Sequence, residues 1–276
     1  MENTIKVRKI ERKKTKSDCL SFLKEARVND AYLFEGIAQG HARFHNYCFI
    51  QDGRIVGIVH SKSGSSVHLF FSGSMAVSSR EKAVKFIEDR FPGLKMLFGD
   101  ALSVRTFEKF SGEKSVSVKN FITMEICRPW LCPRQLYRGM TPPPDMASQL
   151  LPLQIQYEIE EVGACASDIN RGRVLTVLKK KMMRKEVSAV LEGPVPVAMA
   201  GVNARYENIC QIGSVYVVPS RRGRGYGSSV VSYHLVQLFK RYERVLLFVN
   251  TANKSAYSLY RRLGFRDTGM LMQAYF

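Results

Sequence analysis

Long apolar runs are missing from this chain. No stretch approaches the ~20 apolar residues that cross a bilayer, so no membrane span is expected among its 276 residues. The basic N-terminal segment, residues 1–16, has no apolar region behind it, which argues against a secretory signal. Cys19, Cys48, Cys127, Cys132, Cys165 and Cys210 are scattered and form no Cys-x-x-Cys. Cys127 and Cys132 have neither a second pair nor downstream histidines to build a zinc site. The six read as reduced, mostly buried thiols of a cytoplasmic protein. His41, His45, His60 and His68 also lack metal-like spacing, so no metal is expected.

Acidic residues are scarce as well. Against 42 Lys and Arg stand 24 Asp and Glu, a formal charge of +18. The excess is even, with 24 basic against 15 acidic residues up to Ser148 and 18 against 9 after it. Clusters lie at residues 6–16, at Lys179, Lys180, Lys181, Arg184 and Lys185, and at Arg221, Arg222 and Arg224. Such charge draws polyanions and also keeps a protein soluble. No RNA-binding aromatic motif or recognition-helix pattern accompanies it, so nucleic acid is a candidate partner but not the favoured one.

What the chain does have is a glycine-spaced turn, Arg222-Gly223-Arg224-Gly225-Tyr226-Gly227, behind the apolar run 212–218. From Ser228 onward the residues are apolar at helical spacing. A glycine-rich turn opening a helix presents free N–H groups and the positive end of the dipole to an anion. Glycine also lets a phosphate approach without a Cβ in the way. A P-loop would need Lys-Ser or Lys-Thr after its last glycine, and Ser228-Ser229 stand there. A dinucleotide fingerprint would need glycine at 228 and an acid ending the next strand, whereas residues 245–250 end in Asn250.

The remaining pattern, Arg/Gln-x-x-Gly-x-Gly/Ala, resembles the pyrophosphate loop of the GNAT acyltransferases through Arg222, Gly225 and Gly227. A second block, residues 253–265, is similar to the other GNAT signature, Asn-x-x-Ala-x-x-x-Tyr-x-x-x-Gly-Phe, through Asn253, Ala256, Tyr260, Gly264 and Phe265. Asn253 and Tyr260 are about two helical turns apart and share a face. Ala256 keeps that face low, and Gly264 suits a left-handed helix end. The resemblance covers residues 150–276 and implies a mixed α/β fold, a central, mostly antiparallel, splayed sheet flanked by helices.

The resemblance further implies an N-acyltransferase, most simply an N-acetyltransferase, using acetyl-CoA as cosubstrate and no metal. A primary amine would attack the thioester directly in a ternary complex; whether that amine sits on a small molecule, peptide or protein stays open. Main-chain groups of Val215, Tyr216 and Val217 would pair with the pantetheine arm. The N–H groups of Arg222, Gly223, Arg224, Gly225, Tyr226, Gly227 and Ser228 would hold the pyrophosphate, and Asn253 would touch the arm. Tyr260 is the candidate acid for the departing thiolate, against a plain packing role, with Tyr257 as the weaker alternative. Gln211 stands where some members carry a glutamate base. Glu160, Glu161 and Glu207 are substitutes of weaker claim, His234 is expected to be packed, and no general base is assigned. Two other functions stay open: a non-catalytic acyl-CoA sensor, and an RNA- or ribosome-associated acetyltransferase whose salt-sensitive binding would weaken on neutralising residues 179–185.

Residues 129–150 are proline-rich and read as a linker between a first domain, 1–128, and a second, 151–276. In the second, helices are expected at 153–162, 170–183, 228–242 and 253–263, and strands at 188–191, 195–205, 208–218, 243–250 and at the C-terminus. The first half repeats this order: helices at 18–28 and 30–39, a meander at 43–51, 54–61 and 66–72, then helix, strand, helix and strand to Cys127. Asp52-Gly53 answers to Glu192-Gly193, while the segment Ser72-Gly73-Ser74-Met75-Ala76 has no arginine and one glycine. A tandem of two GNAT-like domains with a degenerate first copy is the expectation; an unrelated α+β domain is the rival.

Overall fold

The protein is described by a computed structural model covering residues 5–41 and 43–276. The first four residues of the basic N-terminal segment lie outside the described residues. Contacts divide the chain into two units. Unit 1 comprises residues 1–123, 249–252 and 268–276; unit 2 comprises residues 124–248 and 253–267. The stretch 129–150, expected as a linker, thus lies wholly inside unit 2, and the segment 151–276 is shared between the units.

In chain order, unit 1 contains β1 (Lys6–Lys9), α1 (Lys13–Glu25), α2 (Ala31–Gln39), β2 (His45–Gln51), β3 (Arg54–Ser61), β4 (Ser66–Phe71), α3 (Val77–Arg90), β5 (Met96–Gly99), α4 (Ala101–Ser111) and most of β6 (Ser117–Cys127). The elements expected from periodicity are present within a few residues, but β1 is an addition. Part of the basic N-terminal segment pairs with β2 at the sheet edge, antiparallel from Lys6↔Ile50 to Lys9↔Tyr47. Its charged side chains point to solvent, as suits an edge strand. Asp52 and Gly53 both have positive φ, the geometry of a two-residue hairpin between β2 and β3. Phe49, Phe71, Leu97, Phe107 and Ile87 fill the core of this unit.

Unit 2 begins with the end of β6 and continues with β7 (Gly139–Met140), α5 (Ala147–Tyr157), α6 (Arg171–Met183), β8 (Val187–Glu192), β9 (Val195–Tyr206), β10 (Ile209–Val217), α7 (Tyr226–Leu238), β11 (Arg244–Asn250) up to Phe248, and α8 (Lys254–Leu263). Its strands run in the order β11-β10-β9-β8-β7. α5 starts six residues before its expected position: a 3₁₀ turn, Pro144–Met146, leads into it, and Pro152 is carried inside the helix. It ends in a π-helical turn, Glu158–Val162, closed by left-handed Gly163. Leu150, Leu153, Leu178, Met182 and Met199 form the core between α5, α6 and the sheet.

The last strand, β12 (Arg266–Tyr275), has residues 268–275 in unit 1. There it pairs antiparallel with β5, Met272↔Gly99 to Tyr275↔Met96, and lies between β5 and β6. Met272 and Ala274 belong to the core of that unit. No helix among the described residues is long and apolar enough to cross a membrane.

Candidate active site

β10 and β11 are parallel and hydrogen-bonded only at their starts, Ile209↔Arg244 to Gln211↔Leu246. Beyond Gln211 β10 pairs with β9 alone. The register shifts between Gly213 and Tyr216, where Ser214 has φ 50° in mid-strand. A bulge of this kind bends its strand and re-aims the groups around it. The two strands therefore splay, leaving the β11-facing main chain of Val215, Tyr216 and Val217 unpaired by the sheet.

Where β10 ends, a 3₁₀ turn, Pro219–Arg221, leads into the glycine turn. Gly223 and Gly225 are left-handed, at φ 74° and 89°, and Gly225 caps α7. A Cβ on Gly225 would lie 2.7 Å from Leu136 Cδ1, and one on Gly227 would lie 3.0 Å from Leu259 Cδ1. Both glycines thus permit close packing as well as the turn. Among the described residues, the N–H groups of residues 223–228 have no hydrogen-bond partner; the first loop amide that does is that of Ser229, bonded to Gly225 O. Six unpaired donors in a row at a helix N-terminus form an anion cradle.

Arg222 differs from the rest of the turn. Its N–H donates to Pro219 O at 3.2 Å. Its side chain donates from Nε to Val217 O at 3.0 Å and from Nη2 to Glu160 Oε2 at 2.6 Å. Tyr216 donates its hydroxyl to Glu160 Oε1 at 2.6 Å, and the guanidinium lies 5.2 Å over the Tyr216 ring. Those two donors, the tyrosine first, hold the Glu160 carboxyl below its usual range. Burial, with help from Glu160, pushes the Tyr216 phenol up to about 12. Arg221 is likewise engaged, with Glu192 at 2.6 Å.

Asn253 caps α8, its Oδ1 accepting from Ala256 N at 3.0 Å, and its Nδ2 donates to Glu161 Oε1 at 3.4 Å. Tyr260 is 7 % exposed and its hydroxyl has no hydrogen-bond partner among the described residues. Burial first, then the nearby Tyr157 and Glu161, raises its pKa above the ordinary phenol range, so it is protonated at neutral pH. Tyr257, by contrast, spends its hydroxyl on Asp267 at 2.9 Å. Gly264 is the left-handed cap of α8, as its position in the sequence implies.

Among the substitutes for a base, Glu160 is held ionised by two donors, and Glu207 lies in the β9–β10 turn at the far end of the strand from Val217. Gln211 is buried at 3 % exposure with Oε1 unpartnered. His234 is packed: its Nδ1 meets Ser188 Oγ at 2.8 Å and burial pushes it down to about 3. Two features escaped the reading of the sequence. Tyr157, at the end of α5, lies by the Ser214 main chain and Asn203, beside Tyr260. The segment before β7 braces α7: Ser229 Oγ accepts from Leu136 N and Tyr137 N, and the Tyr137 ring stacks on Tyr226 at 3.8 Å. No spacing in the sequence links these partners.

Residues 171–265, from α6 through α8, match the Acetyltransferase (GNAT) family. These residues form a GNAT domain. Among solved structures, the whole chain is similar in fold to a GNAT-family acetyltransferase from Colwellia psychrerythraea, at 15 % identity and TM-score 0.60, over 98 % of this chain and 99 % of that one. It is also similar to a tandem GNAT protein from the clavulanic acid biosynthesis pathway, solved without acetyl-CoA, at 10 % identity and TM-score 0.62, over 99 % and 98 %. A GCN5-related N-acetyltransferase from Sphaerobacter thermophilus matches at 15 % identity and TM-score 0.62, over 98 % and 95 %. At such identities the likeness is one of fold. It extends over the N-terminal half, so the tandem GNAT architecture holds for both halves. No curated protein matches the sequence significantly. Among the described residues no group of His, Cys, Asp and Glu is placed to hold a metal ion.

Proposed function

We propose that unit 2 is an acyl-CoA-dependent N-acyltransferase that moves an acetyl group from acetyl-CoA to a primary amine in a ternary complex. The observation that carries this reading is the row of unpaired N–H groups at residues 223–228, beside the splay of β10 and β11. The cradle fits a diphosphate, with Arg224 as the loop arginine left without a protein ion pair among the described residues. The open edge of Val215 to Val217 fits an extended arm that pairs as a strand would. Asn253, whose Oδ1 caps the helix, would offer the same arm its Nδ2, which otherwise donates to Glu161.

Acyl-CoA supplies a thioester; the amine nitrogen bonds to its carbonyl carbon, the C–S bond breaks, and the thiolate needs a proton. Tyr260 can give it, because its hydroxyl is protonated, buried and uncommitted. Glu160 is tied to Tyr216 and Arg222, so no general base is assigned; the amine arrives neutral, and the proton its nitrogen sheds after attack passes through water to the phenolate that Tyr260 becomes on protonating the thiolate. The test is release of free thiol from acetyl-CoA in the presence of a panel of primary amines. Amine-dependent release supports the enzyme. Binding of acetyl-CoA without any release supports the sensor instead.

A further inference from the structure

The acidic π-turn that ends α5 touches both walls of the splay. Glu160 reaches Tyr216 on β10 and Arg222 at the head of the glycine turn; Glu161 reaches Asn253 at the start of α8. The turn holds no buried residue, and the buried side chains of α5 stop at Ile155. A π-turn carries one residue more than an α-turn and occurs often at functional positions. Left-handed Gly163 closes it. The contact is therefore made by a segment with no side chain of its own in the core.

The clasp uses the groups that the cofactor needs. The Arg222 guanidinium covers the Val217 carbonyl and is neutralised by Glu160, at the mouth of the cradle of residues 223–228. A diphosphate seated there brings negative charge towards the Glu160 carboxylate. Like charges at contact range exclude one another unless one of them moves. We propose that Glu160 is a positioning residue that competes with the diphosphate of acyl-CoA for Arg222, so that cofactor binding opens the clasp and frees the π-turn. The inference rests on the acyl-CoA reading above. It couples two sites, since the turn that leaves Arg222 also stands beside Tyr157 and Tyr260.

Titration calorimetry with coenzyme A on the full chain tests this. Glu160→Gln keeps the size of the side chain and lies on a turn with no buried residue; thermal melting and circular dichroism confirm its fold. The expected result is coenzyme A bound about three- to tenfold more tightly by Glu160→Gln than by the wild type, the range of a partly exposed ion pair with one supporting hydrogen bond. Glu160→Ala should tighten it similarly, and Glu161→Gln less, since its bond to Asn253 is long. Unchanged or weaker binding by the folded Glu160 variants, with the wild type binding, overturns the clasp and leaves the acyltransferase reading standing. Absence of coenzyme A binding in every folded variant overturns both.

Discussion

At the scale of single residues, Tyr260 separates chemistry from packing. Its hydroxyl lacks a partner among the described residues, so removing the oxygen should cost little stability. Tyr260→Phe should lower kcat roughly 100-fold or more, the range of a lost general acid, while the dissociation constant for acetyl-CoA stays within about twofold. Equal loss of turnover and binding would assign the residue to packing. Histidine burial gives a second expectation. His234 in unit 2 and His60 in unit 1 are both pushed down to about 3 in the folded protein, against an ordinary value near ~6.5. The unfolded chain therefore binds protons that the folded one refuses, and stability falls as pH drops from about 6.5 towards 3. At pH 5 each contributes about 2 kcal/mol of this loss. Urea midpoints measured from pH 7 to pH 5 should fall, and fall less in His234→Gln; a pH-independent midpoint would refute the assignment.

The elements around the site explain why glycine matters at particular places. Gly225 both caps α7 at φ 89° and lies under Leu136. Gly225→Ala places a side chain in the left-handed region, at about 1–2 kcal/mol, and turns the first amides of α7. Coenzyme A affinity should drop at least about tenfold, the size of one or two lost charge-assisted hydrogen bonds, with a modestly lower melting temperature. An unaltered affinity would show that the cradle does not hold the diphosphate. The segment at residues 134–137 belongs to the same construction. Ser229 donates to Gly225 O and accepts two amides from that segment. Ser229→Ala removes the acceptor of two part-buried donors and should lower stability by about 1 kcal/mol, measured by chemical denaturation. At this scale the sequence was largely readable. Glycine spacing, caps and periodicity are written within stretches of about ten residues, and α2, β3, α6, α7 and α8 lie within a few residues of their expected places. The start of α5 was not, because Pro142, Pro143, Pro144 and Pro152 read as breakers, although proline is accepted in the first turn of a helix and Pro152 is carried further in.

For the whole molecule, the sharpest consequence lies in β12. Residues 268–276 supply unit 1 with a strand between β5 and β6 and with Met272 and Ala274 of its core. Deleting them should expose β5 and β6 of unit 1. Hydrogen exchange at residues 96–99 should rise by orders of magnitude in the truncated chain; retained protection there would contradict the pairing. The sequence could not announce this. A strand whose buried stretch is only Leu271 to Ala274 looks the same whichever sheet receives it, since the pattern marks burial and not the neighbour. The sequence alone determined the order of elements, the glycine turn with its helix, the second signature block and the repetition of the two halves, because each is a local backbone preference or a short spacing. Only the tertiary structure decided that Arg222 faces Glu160, that Tyr157 stands beside Tyr260 and that the last strand completes unit 1. Those pairings join residues 62 to 179 positions apart, and no chain segment short enough to have its own preference contains both partners.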